Sequence, residues 1–243
     1  MARYAWIRKQ AEAAGVGYFV ATVDWITGFI LRDMDRGEEA LAAFQRFVDW
    51  GNRENPKQIP FLRAVQAFFS GWVDLDRGRP AEAKARLAEM EPLLSEVGTD
   101  DGNNVTFLYR LMRSEVALAE GDSDRAIVLG REIVFPDFPS MSIPNMAGYN
   151  QPFLKDVLAR AYWKRGDLNA AAAEYRKLTT IDPANQLRMS IPPLYHYRLG
   201  RVLQEKGDKA AAAIEYRKFL EFWKDADPAH PELADARQRL AAL

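Results

Sequence analysis

Residues 153–168 read Phe-Leu-Lys-Asp-Val-Leu-Ala-Arg-Ala-Tyr-Trp-Lys-Arg-Gly-Asp-Leu, and residues 195–209 read Tyr-His-Tyr-Arg-Leu-Gly-Arg-Val-Leu-Gln-Glu-Lys-Gly-Asp-Lys. In each stretch a small residue, Ala159 or Gly200, stands seven places before a glycine, Gly166 or Gly207. An Ala (Ala171, Ala212) follows that glycine by five places and a Tyr (Tyr175, Tyr216) by nine. The glycine ends one apolar helical run, because it reaches the left-handed cap conformation that a side chain resists. The aspartate after it, Asp167 or Asp208, is placed to cap the next helix. The pattern is a helix–turn–helix unit in which small residues let two helices approach closely. It sets Gly200 against Ala212 at the crossing of the last pair, with the Tyr216 ring filling the gap beyond.

The same unit recurs toward the N-terminus. Turn glycines Gly37, Gly78, Gly121, Gly166 and Gly207 are spaced by 41, 43, 45 and 41 residues. The third unit keeps Ser114, Gly121 and Ala126, and the second keeps Gly71, Gly78, Ala83 and Leu87. In the first, Gly28, Leu31, Ala40 and Phe44 fit the register only if Gly37 sits two residues late in its turn. Self-similarity at a fixed period is the mark of a solenoid. Helices are expected at 2–14, 18–34 with 38–52, 59–77 with 80–97, and 103–120 with 123–134, then at 152–165 with 168–180, 192–206 with 209–225, and 231–242. Pro80 suits a helix start, whereas Pro92 should end or kink its helix near Met90. Four prolines between Phe135 and Pro152 mark the one long loop, an expected point of proteolysis.

The small residue, turn glycine, Ala, aromatic and closing proline (Ile181-Asp182-Pro183) resemble the tetratricopeptide repeat. The stretch from Tyr216 to Pro228, with Asn150-Gln151-Pro152-Phe153 and Pro193-Leu194-Tyr195-His196-Tyr197-Arg198-Leu199-Gly200, resembles a narrower group. These are bacterial arrays that form the C-terminal part of serine/threonine kinases or winged-helix regulators, or stand alone. The resemblance covers the chain from about Gln151 onward and is looser before it. Two features depart from it: the period of 41–45 exceeds the usual ~34 residues, and the Trp usual near the start of the first helix is Lys155 and His196 in the last two units. The fold expected is all-α, a right-handed solenoid of about five helix pairs with terminal capping helices. It would form a single domain over 1–243, with repeats at 17–57, 58–99, 103–140, 152–184 and 191–228, an N-terminal helix at 1–14 and a capping helix at 229–243.

Composition narrows the function. Hydrophobic residues make up 48% and charged residues 28%, which supports a core and argues against disorder. With 33 basic and 34 acidic residues the net charge is −1, so no global field gathers nucleic acid or an anionic membrane. The absence of cysteine excludes disulfides, zinc knuckles and thiol chemistry. The N-terminus lacks the apolar core of a signal peptide. The most apolar stretch, Val16 to Leu31, is broken by Gly17, Asp24 and Gly28 and is too short and polar to span a bilayer. A cytoplasmic protein without membrane insertion is expected.

Catalytic patterns are missing. His196 falls on a repeat helix and reads as a packing residue, and His230 sits in a loop. Asp100-Asp101-Gly102-Asn103-Asn104 lacks the ligand spacing of a calcium loop and reads as a solvated turn. No phosphate-cradling glycine loop or nucleophile elbow is present. The sequence therefore points to no enzyme, cofactor or metal, and to a scaffold that binds a peptide or protein segment on the concave face lined by first helices. Two sets of inward positions are candidates for that contact. Trp25, Phe29, Phe68 and Trp72, with Ile26 and Phe69, form either core or an apolar groove. Arg160, Trp163, Lys164, Tyr197, Arg198 and Arg201 form either a solvated face with local ion pairs to Asp156, Glu205 and Asp208 or an anchor for an acidic segment. Other readings are a sensory or scaffolding module of a larger kinase or transcription regulator, and a homo-oligomeric structural protein. An enzyme using carboxylates on a helical scaffold ranks last.

Overall fold

The computed structural model describes residues 2–97, 104–134, 153–181, 191–227 and 230–243. The fold is all-α, with no strand among the described residues. The helices are α1 (Ala2–Ala13), α2 (Gly17–Asp33), α3 (Gly37–Glu54), α4 (Ile59–Asp76), α5 (Pro80–Met90), α6 (Leu94–Val97) and α7 (Asn104–Ala119). There follow α8 (Ser123–Arg131), α9 (Val157–Arg165), α10 (Leu168–Leu178), α11 (Pro193–Glu205), α12 (Lys209–Phe222) and α13 (Pro231–Ala241). They gather into two compact units, α1–α7 and α8–α13. Within each unit, helices pack mainly on their neighbours in sequence, the contact pattern of a repeat array. The proline-rich stretch 135–152, the expected cleavage point, and residues 100–103 of the solvated turn lie outside the described residues.

Local chemistry sets the helix ends. Gly78, Gly121, Gly166 and Gly207 all have positive φ, between 66° and 92°. In the first unit that role falls to Asp35 at φ 58°, while Gly37 opens α3. The left-handed residue is thus two places earlier than the glycine, which is the displacement the register required. Asp122, Asp167 and Asp208 accept N–H bonds from Arg125, Ala170 and Ala211 at 2.9, 3.1 and 3.2 Å, each satisfying one orphan donor of the next helix. α5 stops at Met90, and Pro92 lies in a single 3-10 turn, Glu91–Leu93.

In the first unit, α3 buries Ala40, Ala43, Phe44, Phe47, Val48 and Gly51, a stripe at the helical period. The stripe meets α2 where that helix lacks a side chain. A Cβ on Gly28 would stand 2.4 Å from Phe44 Cε1, so the ring lies directly on the α2 backbone. The second unit repeats this arrangement: a Cβ on Gly200 would stand 2.8 Å from Tyr216 Cε1. Phe44 and Tyr216 each follow their glycine by sixteen residues. The Tyr216 ring, expected in the gap beyond the crossing, thus supplies the three atoms nearest to Gly200. The ring is held in place by its hydroxyl, which donates to Gln204 Oε1 at 2.8 Å. Gly200→Ala is therefore expected to overpack α11 against α12 and cost about 1–3 kcal/mol. Urea unfolding followed by circular dichroism checks this, and an unshifted midpoint would show that the ring moves aside freely.

Candidate partner-binding face

The two sequence-derived groups have opposite fates. In the first unit, Trp25, Phe29, Phe68 and Trp72 are all buried, Phe68 completely. Trp25 meets Phe29, Phe44, Phe47 and Phe69 edge-on or tilted, at centroid distances of 4.6–5.7 Å. Phe69 stacks on Phe44 at 3.9 Å, and the Arg32 guanidinium lies 3.9 Å over the Trp72 ring. The rings fill one another's faces. This aromatic set is the interior of the α2–α3–α4 layer, and the apolar groove considered for it is filled by its own side chains.

In the second unit, Asp156, at the N-cap of α9, is fully buried. Its carboxylate accepts the Phe153 N–H at 2.8 Å and Arg160 Nε at 3.0 Å, together with the Arg198 guanidinium. The Tyr175 hydroxyl lies 3.5 Å away. The Phe153 bond closes a turn in which Phe153 itself has φ 70°, a conformation rare for an aromatic residue. Burial alone would raise the Asp156 pKa, but the charges of Arg198 and Arg160 and the Phe153 N–H prevail and hold it at about 2. Burial, followed by the nearby Asp156 charge, pushes the Tyr175 and Tyr195 phenols far up. The Tyr195 hydroxyl has no hydrogen-bond partner among the described residues.

Arg160 and Arg198 are therefore brought together, but as counter-ions of an internal carboxylate, each with its side chain 24% exposed. The other members lie further along α9 and α11. Trp163 is half-buried and donates from Nε1 to Glu205 at 2.6 Å. Arg201 lies 4.8 Å over the Trp163 ring and 5.9 Å from that of Tyr197, and its Nε has no hydrogen-bond partner among the described residues. Tyr197 is buried, with its hydroxyl donating to Asp235 of α13 at 2.7 Å. Lys164 is exposed. Arg160, Trp163, Arg198 and Arg201 are thus all half-buried, and Lys164 is the member that stands exposed. His196 is buried, as a packing residue should be. Its Nδ1 lies 2.6 Å from Glu215, and its ring stacks on Phe222. Burial raises the Glu215 pKa, but hydrogen bonds from His196 and Lys218 more than offset this and lower it.

The depth of Asp156 was not anticipated. Asp24 and Asp74 in the first unit share its situation. Both are buried, Asp24 between Arg8 and Arg46 and Asp74 between Arg79 and Arg86. For Asp156 the available signal was an aspartate within an otherwise apolar helical face, with Arg160 one turn on and Arg198 one repeat away.

No helix among the described residues is long and apolar enough to cross a membrane. A search of curated proteins finds no match to the chain. The family model of the tetratricopeptide repeat matches residues 156–185 and 194–222, which span α9–α10 and α11–α12. Repeats of this family in general mediate contacts between proteins and carry no catalysis. The small–glycine–alanine–aromatic pattern, the two stacked helix pairs and this match agree: the chain carries tetratricopeptide repeats at residues 156–185 and 194–222.

Proposed function

We propose that this protein is a non-enzymatic scaffold that binds an acidic or C-terminal segment of a partner protein on the first helices of its last two repeats. The observation that carries this reading is the Arg201 guanidinium. It lies over the Trp163 and Tyr197 rings, and exposed Lys164 follows Trp163 directly on α9. Aromatic stacking fixes the plane of a guanidinium, and with the Arg201 Nε buried the terminal nitrogens are the ones that a carboxylate would meet. Trp163 adds a flat apolar surface beside it, a common composition at the centre of protein interfaces.

Arg160 and Arg198 support the face by position, and their charge is largely spent on Asp156. A charge reversal at Arg160 would set a second carboxylate against a buried one and disturb the fold. The decisive variant is Lys164→Glu with Arg201→Gln, which removes the Arg201 charge without setting a second carboxylate near Asp235. Affinity capture from the native lysate, read by mass spectrometry, is expected to lose its specific partners with this double variant while the melting temperature holds. Capture by the wild type should also weaken as salt is raised. Retention of the same proteins by the double variant would overturn this assignment of the face.

A further inference from the structure

A cleft of about 430 Å³ opens in the first unit between α1, α2 and α3. That volume suits a small molecule rather than a protein segment. It shares no residue with the face described above. Its apolar floor includes Val16, Val20 and Ala21, and its walls carry three arginines (Arg8, Arg46, Arg53) and three carboxylates (Glu12, Asp24, Asp49).

These groups differ in what they have left to offer. Arg8 is consumed, with Nε and one terminal nitrogen on Asp24 and the other on Glu12. Asp24 also accepts Arg46 Nε at 2.8 Å. That bond fixes the Arg46 side chain and leaves its two terminal nitrogens unengaged among the described residues. Arg46, Trp50 and Arg53 stand at i, i+4 and i+7, one face of α3. Arg53 makes no ion pair among the described residues. Asp49 receives Gln45 at 2.8 Å on one oxygen, so the other is open, as is one oxygen of Glu12. Gly17 lines the cleft opposite Trp50, where a methyl group would press on the indole nitrogen, Nε1, at 3.0 Å. The lack of a side chain there keeps that N–H accessible.

The open donors and the open acceptors therefore face one small space over an apolar floor, and the wall charges balance. A ligand of one sign would satisfy half of the wall and be repelled by the other half. We propose that this cleft binds a small zwitterion, an α-amino acid with a large apolar side chain. Its carboxylate is taken by Arg46, Arg53 and Trp50 Nε1, its ammonium group by Asp49 and Glu12, and its side chain lies over Val16, Val20 and Ala21.

Isothermal titration of the full chain with phenylalanine and with leucine tests this, alongside hydrocinnamate and phenethylamine, which each keep only one charge. Saturable binding of at least one amino acid is expected. Each single-charge analogue should bind phenylalanine's site about tenfold or more weakly, for want of one set of charge-assisted hydrogen bonds. Arg53→Gln removes an exposed, unpaired charge, and Gly17→Ala closes the approach to Trp50 Nε1 at a position with ordinary helical backbone. Both variants should keep the wild-type melting temperature and lose the titration. The proposal is overturned if neither amino acid gives saturable heat. It is overturned equally if hydrocinnamate or phenethylamine binds as tightly as phenylalanine, or if the two variants bind like the wild type.

Discussion

Asp156→Asn is expected to destabilise the second unit by about 3–5 kcal/mol, the usual cost of removing one partner from a buried ion cluster. The variant keeps the shape of the side chain and can still accept the Phe153 N–H. It leaves Arg160 and Arg198 facing each other without the charge that joined them. The pH dependence of the wild type follows from the same group. The Asp156 pKa lies below its ordinary 3.8, at about 2. The folded state thus binds this proton less readily than the unfolded state does. The stabilisation is complete above pH ~4 and is lost as pH falls from there through ~2, amounting to roughly 2 kcal/mol. Urea midpoints measured from pH 7 down to pH 2 should fall in that window for the wild type. In Asp156→Asn this component of the fall should be missing. Equal midpoints for the two proteins at pH 7 would mean that the cluster contributes nothing net.

Trp25→Ala is the second large effect, an expected loss of about 3–5 kcal/mol from a cavity that its neighbours cannot close. Four aromatic rings contact Trp25, and Phe69, one of them, is already stacked on Phe44. None can move into the space without giving up a partner. Thermal unfolding measures this directly. The alternative, a Trp25 that lines a groove, predicts little change in stability and a clear loss of partner capture.

What the sequence reveals here is whatever depends on near neighbours. Turn glycines, the Asp167 and Asp208 caps and the stop at Pro92 are local steric and hydrogen-bonding facts, and they appear where the pattern puts them. Even the awkward first turn was legible, because a two-residue displacement of Gly37 leaves the left-handed position to Asp35. The aromatic residues were less so. Helical spacing assigns Trp25 and Phe29 to one face but does not say what covers that face, and the cover is supplied by Phe69 and Trp72 some forty residues later. The basic group was half legible. Its residues do cluster, but the burial of Asp156 depends on Arg198, 42 positions away. A sequence window cannot weigh a desolvation cost against a counter-ion it does not contain.

The Asp156–Arg198 pair also bears on how such a chain can change length over generations. Arrays of this kind grow and shrink by duplicating or dropping whole units, provided that each cut leaves only apolar surface to be covered again. Here the cut between the last two units falls through an ionic bond. A lineage that dropped residues 193–222 would keep an aspartate in its interior with Arg160 as its only remaining guanidinium partner among those described. Inserting a foreign unit at that junction would strand the same carboxylate unless the newcomer carried an arginine at the matching place. The heritable module at this end of the molecule is the pair of repeats.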